Sequence, residues 1–276
     1  MTSPQRKTIC IAILAALFTV AASLSFSQIN QDATPLLQTA IEKNREADNA
    51  ETRFTYDLLE HSQNFNQKGE ILHEVTRRYE VIYIADLLYQ HLLEVNGKPL
   101  AGQDLADEQK RYDDAIRERF GLDAATRAKL INSRHIGVSV RLGQILTKYR
   151  SRVVGPAVLN GRSCLLIDST PLQTVADAPK RHLRIWLDPQ QNQFLRIDFD
   201  LLADEEGPLR GSTGSMSFTY IDGIPLDTLD HLDFILPTKD KKKSSSRMVN
   251  DQIFSNYKRF VSTSRILPAE AASGQQ

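Results

Sequence analysis

The sequence predicts an α+β fold: one strongly curved antiparallel sheet, an incomplete barrel, covered by an N-terminal helix and an internal helical block. Three observations lead there. Short alternating segments, separated by Asn-Gly, Asp-Gly and Asp-Pro turns, run through most of the chain. One amphipathic helix precedes them, and one charged block of helical period interrupts them.

Thr34-Pro35 opens the first helix, with Thr as N-cap and Pro at the first helical position. Leu36, Leu37, Ala40, Ile41 and Ala47 then share one stripe. Phe54, Tyr56 and Leu58 alternate with polar residues, and residues 64–69 carry turn chemistry. The runs 70–84 and 89–95 continue to Asn96-Gly97, so three strands form a meander. Residues 98–148 read as the helical block. Asp104 and Asp123 are its expected N-caps; Tyr112, Ile116 and Phe120 form a thin apolar stripe, and Val138, Leu142, Ile145, Leu146 and Tyr149 a clearer one.

From Tyr149 the period of two returns. Strands are expected over 150–159, 163–170, 182–187, 194–201, 216–220, 234–237, 247–254 and 257–263. In the fourth of these Leu195, Ile197, Phe199 and Leu201 make one face and Arg196, Asp198 and Asp200 the other, the pattern of a half-buried antiparallel strand. The sheet needs a cover for its apolar face, and only the two helical regions can supply it.

The N-terminus sets the compartment. Arg6 and Lys7 precede an uncharged, mostly apolar run from Thr8 to Phe26, and Ser25 and Ser27 place small residues before Gln28. That order is a secretory signal peptide over residues 1–27, with cleavage before Gln28 and a periplasmic or secreted product. Retention as a membrane anchor is the alternative reading. A single domain is expected over 28–267, with a frayed tail over 268–276. Of 276 residues, removal of the first 27 leaves 249, carrying 32 basic against 34 acidic side chains. A net of −2 gives no electrostatic case for nucleic acid or for an anionic membrane. Cys164 is then the only cysteine, without an intramolecular disulfide partner, and sits in the apolar run 164–167 as a small hydrophobe.

The turn of residues 95–100 ahead of the charged helix, the turn of 159–162 leading into 164–168, Arg184–Asp188 beside Phe194–Ile197, and the closing segment 254–260 together resemble the bacterial periplasmic lipoprotein-carrier superfamily. The likeness is to the LolA/LolB-like fold, above all its outer-membrane lipoprotein-sorting-like branch, and covers residues 33–265. It implies an incomplete barrel lined by apolar side chains and lidded by helices, which holds acyl chains. The helical block is longer and more charged than that family's pattern, and its lid-locking arginine has no clear counterpart here.

Catalytic signatures are not found in the sequence. His73-Glu74 opens like a zincin motif, but Arg77 stands where the second histidine belongs. Residues 211–215 lack the order and context of a nucleophile elbow and read as a hairpin connection. Asp113-Asp114 and Glu205-Glu206 are adjacent acids, which do not face one another on a helix. Residues 239–243 hold four lysines and one aspartate, and read as a solvated loop.

The expectation is a non-enzymatic exported protein without a cofactor or metal, peripheral to the membrane at most. Trp186, Leu195, Ile197, Phe199, Met216, Phe218 and Tyr220 are the candidate lining of a cavity for an apolar ligand such as lipid or lipoprotein acyl chains. The alternative is an assembly module with a solid core, docking an envelope protein partner through residues 98–132.

Overall fold

Tight turns decide the topology. Asn96-Gly97, Asn160-Gly161 and Asp222-Gly223 each place two consecutive residues at positive φ, 52° and 71°, 50° and 79°, and 53° and 79°. That is the backbone of a two-residue type I′ hairpin, whose twist matches the strands it joins. The chain is described by a computed structural model over residues 31–48, 54–134, 142–143, 146–174, 177–237 and 245–259. The segment 1–27, the lysine run 239–243, the tail 268–276 and most of the stretch 138–148 lie outside the described residues.

Among the described residues eleven strands result: β1 (Phe54–Phe65), β2 (Ile71–Ile84), β3 (Leu87–Val95), β4 (Lys98–Pro99), β5 (Tyr149–Leu159), β6 (Arg162–Pro171), β7 (Arg181–Asp188), β8 (Gln193–Leu201), β9 (Thr213–Ile221), β10 (Ile224–Pro237) and β11 (Ser245–Arg259). The described helices are α1 (Thr34–Asp48), α2 (Gly102–Gly121) and α3 (Ala124–Arg134). All strands lie in one antiparallel sheet in the order β4-β3-β2-β1-β11-β10-β9-β8-β7-β6-β5, which does not close into a barrel. Every neighbour is also the next strand in sequence except at one seam, β1 against β11.

An open sheet has two edges to protect. At β5 the segment before α1 does this: Ala33 donates its N–H to the Ser151 carbonyl (3.0 Å), and Val153 donates to Gln31 (2.9 Å). At β3, beyond the two residues of β4, side chains of α2 take the place of a strand. Glu108 accepts the Leu92 N–H (3.2 Å), while Arg111 donates to the Gln90 carbonyl and Arg119 to Leu87, each at 2.7 Å.

The core lies between α1 and β5–β9. Ala33, Leu37, Ala40 and Ile41 pack against Val153, Ile167, Ile185, Leu187, Ile197, Phe199 and Phe218, with Leu142 and Tyr149 beside them. Full burial of each large aliphatic or aromatic side chain stabilises by about 1.5–3 kcal/mol. Polar bonds pin the far end of α1: Lys43 donates to the Gln191 carbonyl (2.7 Å), and buried Asn44 to Asn192 (2.9 Å). Smaller clusters around Tyr56, Leu58 and Val81, and around Phe54, Ile224 and Leu226, hold the other half of the sheet.

Several local expectations are corrected. Asp104 is not an N-cap: α2 starts at Gly102 behind Ala101, which makes no side-chain cap, and Asp104 stands in the first turn. Asp123 does cap α3, accepting the Thr126 N–H at 2.9 Å. Thr34 is already helical, and the Asp32 carboxylate accepts its N–H at 3.0 Å. The strand expected at 234–237 begins at Ile224, because Asp227, Asp230, His231 and Asp233 put polar side chains on both faces and erase the alternation. Residues 245–259 form one strand rather than two.

The ring of Phe199 lies across Gly214 on β9, where a Cβ would overlap the ring edge. Gly214→Ala should therefore displace Phe199 from the core and destabilise the protein by about 1–3 kcal/mol, the usual cost of overpacking. Urea unfolding checks this; an unchanged midpoint would mean the ring can move freely.

Candidate functional site

The strand register sorts the residues of the inner face, the one that α1 covers. Directly opposed residues of antiparallel strands share a face. One unbroken row therefore runs Val153, Ile167, Ile185, Ile197 and Met216 across β5 to β9, then Asp230, Gln252, Glu60 and Arg77 across β10, β11, β1 and β2. The row is apolar for five strands and polar for the next four. The change falls between Met216 and Asp230 and follows from a bulge. Asp227 faces Phe218 and Leu229 faces Ser217, so Thr228 is an extra residue in β10.

On the apolar half α1 does not cover everything. Leu36, Met216, Tyr220, Leu232 and Phe234 pack against the core but remain half-buried around the helix. At the N-terminal end of α1 a pocket of about 320 Å³ opens between Pro35, Leu36, Val153, Leu165 and Pro189, with Gln31 and Asp32 at its rim. The β7–β8 turn that supplies Pro189 is built on Asp188. Its Oδ1 accepts the N–H groups of Gln190 (2.9 Å) and Gln191 (3.0 Å), and its Oδ2 accepts from Arg162 (2.6 Å). Burial pushes this carboxyl upward, but those donors outweigh it and hold the group below the usual aspartate range.

On the polar half Glu60 is the hub. It accepts from Asn250 at 3.1 Å, and from Arg77 and Tyr79 at 3.4 Å each. Arg77 also borders a groove of about 380 Å³ with Leu92, Val95, Leu100, Asp104, Glu108 and Arg111. A larger groove, about 770 Å³, follows α2 over Leu88, Tyr89 and Gln90. Its charges are mixed, three acidic and three basic: Asp107, Asp114 and Glu118 with Lys110, Arg111 and Arg119. At its base the Tyr89 hydroxyl donates to buried Glu108 at 3.0 Å, with the Arg111 and Arg119 guanidinium groups 5.1 and 5.4 Å from the ring centre. Burial first, and then the Glu108 bond, raise the Tyr89 pKa. This network docks α2 on the sheet edge.

The seven residues expected to line a cavity fall in three places. Ile197, Phe199 and Phe218 are buried in the core beneath α1, and Met216 and Tyr220 border it. Leu195 is the extra residue of a bulge, since Leu187 pairs with Phe194 and Trp186 with Arg196. Trp186 stands on the outer face beneath the Arg196 guanidinium, 5.7 Å from the ring. The pocket residues Leu36, Val153 and Leu165 carry a periodic signal but nothing that marks an opening. The polar row escapes notice because β10 does.

Among the described residues no group of three or more His, Cys, Asp or Glu could hold a metal ion, and no helix is long and apolar enough to cross a membrane. Cys164 is buried, and burial raises its thiol pKa, which keeps it protonated. His73 and Glu74 are exposed on β2, where Glu74 accepts from His61 and Gln63.

No protein-family model matches the chain, and no curated protein matches it. Solved structures do. A LolA superfamily protein from Nitrosomonas europaea aligns over 87% of this chain and 96% of its own, at 12% identity and a TM-score of 0.34. A DUF1329 family protein from Desulfovibrio piger aligns over 85% and 96%, at 13% identity and a TM-score of 0.35. An outer membrane lipoprotein-sorting protein domain from Vibrio parahaemolyticus aligns over 83% and 95%, at 11% identity and a TM-score of 0.36. Likeness at that distance identifies no ligand.

Asp188→Asn should destabilise the protein by about 1.5–3 kcal/mol at neutral pH, the range for hydrogen bonds to a charged group. The folded-state pKa of Asp188 is lowered, so its contribution is present above the unfolded value near 3.8 and is lost as pH falls through the folded value. The difference between wild type and variant should shrink in acid. Urea titrations at pH 7 and pH 3 measure both effects, and a constant difference would refute the assignment.

Proposed function

We propose that this is an exported, non-enzymatic carrier that holds an apolar chain, such as a lipid or lipoprotein acyl group, between α1 and the inner face of the sheet. One observation carries the reading: the apolar half of that face is wider than the helix covering it. Leu36, Met216, Tyr220, Leu232 and Phe234 stay half-buried around α1, and an apolar pocket opens at the helix's N-terminal end. A chain laid along this margin would gain about 0.8 kcal/mol for each methylene it buries. Pocket volume is at the low end of the range of about 300–1,000 Å³ that small-molecule sites occupy. Ile197, Phe199 and Phe218 form the floor in this reading, and Met216 and Tyr220 the accessible border.

In this reading residues 1–27 are an export signal, and the carrier works in the periplasm or outside the cell. A carrier needs an opening more than a reactive group, and the perturbed groups of the site serve structure. Asp188 builds a turn, and Tyr89 with Glu108 fastens α2.

Binding of a fluorescent long-chain fatty acid to residues 28–276 tests the proposal. Leu36→Glu and Met216→Glu place a charge in the apolar margin at half-buried positions that the fold can tolerate. Each should weaken binding by at least about tenfold, or 1.4 kcal/mol, with the melting temperature nearly unchanged. Folded variants that bind as the wild type does would reject the margin as the site. A wild type that binds no chain at all would favour a docking module that uses the charged surface of α2.

A further inference from the structure

We propose that the open end of strand β5, residues 154–159, is the surface through which the protein touches a lipid bilayer, set beside the pocket so that a chain can pass between the two. The inference rests on the carrier reading and names where that carrier meets its lipid source or destination. Its basis is a stretch of apolar edge that the fold leaves uncovered. Among the described residues the backbone cover of β5 reaches only to Val153, whose N–H is bonded to the Gln31 carbonyl. Beyond it Val154 is 42% and Val158 69% exposed, with Pro156 exposed between them. In a chain with 25% charged residues, no charged side chain occurs from Val153 to Gly161.

An uncharged apolar edge invites association, and a native sheet either blunts it or uses it. Pro156 blunts it toward strands. A proline is tolerated in a sheet where its missing donor faces away from the ladder, so an incoming strand finds no N–H to pair with there. A bilayer asks for no such donor; it takes up apolar side chains presented at its interface. Register then ties this edge to the pocket. Pro156 stands opposite Leu165, which lines the pocket. Val158 lies two residues farther along β5, on the same face as Pro156. Leu165, Pro156 and Val158 thus continue the pocket lining to the margin of the sheet. The rim carboxylate of Asp32 lies on the other side, where its backbone bridges Arg152 and its side chain accepts the Thr34 N–H. A chain leaving the pocket over Leu165 crosses no charged side chain of β5. The flanking Arg152 and Arg162 are paired, with Asp168 at 3.4 Å and Asp188 at 2.6 Å. The contact is therefore apolar rather than electrostatic.

Flotation of residues 28–276 with phosphatidylcholine vesicles reads this contact without any ligand. The wild type should float with the vesicles at low and high salt alike. Val158→Asp should lower the floating fraction severalfold, and Val158→Leu should preserve it. Both variants should keep the wild-type melting temperature and affinity for a fluorescent fatty acid, because position 158 is exposed and lies outside the pocket. Transfer of that fatty acid from protein to vesicles should speed up with vesicle concentration in the wild type and lose this dependence in Val158→Asp. A wild type that does not float, or a Val158→Asp variant that floats and transfers as the wild type does, overturns the docking surface and leaves the carrier reading standing. Failure of the fatty acid to bind removes the carrier reading, while flotation still decides whether this edge meets lipid.

Discussion

The pairing of β1 with β11 is the contact on which the rest of the structure depends. Residues 54–65 meet 247–259 in a ladder that brings together the first and last strands of the described chain. Every other strand pair is a local hairpin or a connection between consecutive strands. Without this seam there are two meanders, β1–β4 and β5–β11, each with an unpaired edge. With it there is one sheet whose outer strands, β4 and β5, are the two that flank the helical block in sequence. Long-range closure costs chain entropy that only the completed ladder returns. The long strands β1, β2, β10 and β11, 12 to 15 residues each, supply many bonds at that point.

Edge protection follows from the same topology. A sheet of this order leaves β3 and β5 exposed to a foreign strand, and the two edges are handled by different chemistry. Backbone from Gln31 and Ala33 covers β5, next to a helix that is itself core. Side chains of α2 cover β3, through one buried carboxylate and two arginines. Leu105 and Phe120 of α2 remain exposed, so its hold on the sheet is mainly polar. Desolvated hydrogen-bond networks of this kind are costly when only partly satisfied, and removal of Glu108 would leave the Tyr89 hydroxyl and the Leu92 amide to find other partners.

Much of this was legible in the sequence because its signals are local. Asn-Gly and Asp-Gly turns fix hairpins, Asp123 caps a helix, and the alternation in 194–201 marks a half-buried strand. Signals that depend on partners could not be read the same way. Trp186 looks like a lining residue until the register with β8 puts it opposite Arg196. Leu195 belongs to the apolar alternation in sequence, yet a bulge removes it from the row. β10 shows a strand pattern only at its end, since a strand with aspartates on both faces has no period to detect. The candidate site lies where these non-local facts meet, and its outline was correspondingly harder to anticipate than the sheet.

One residue controls the division of the inner face. Were β10 to run past β9 without its bulge, Leu229 would stand opposite Met216 and continue the apolar floor. Thr228 is inserted instead, its hydroxyl bonded to the Ser217 carbonyl at 3.1 Å, and the register beyond it shifts by one. Asp230 then enters the inner row and Leu229 turns outward. The shift has a cost on the other face, where Leu229 pairs with Ile253 and Ile253 with Leu59, and both Leu59 and Ile253 are exposed. The same shift keeps Leu232 and Phe234 against the core; without it they would turn outward together with Asp230, and His231 and Asp233 would turn inward. The bulge therefore sets the inward side chains of β10 as a group, polar Asp230 with apolar Leu232 and Phe234.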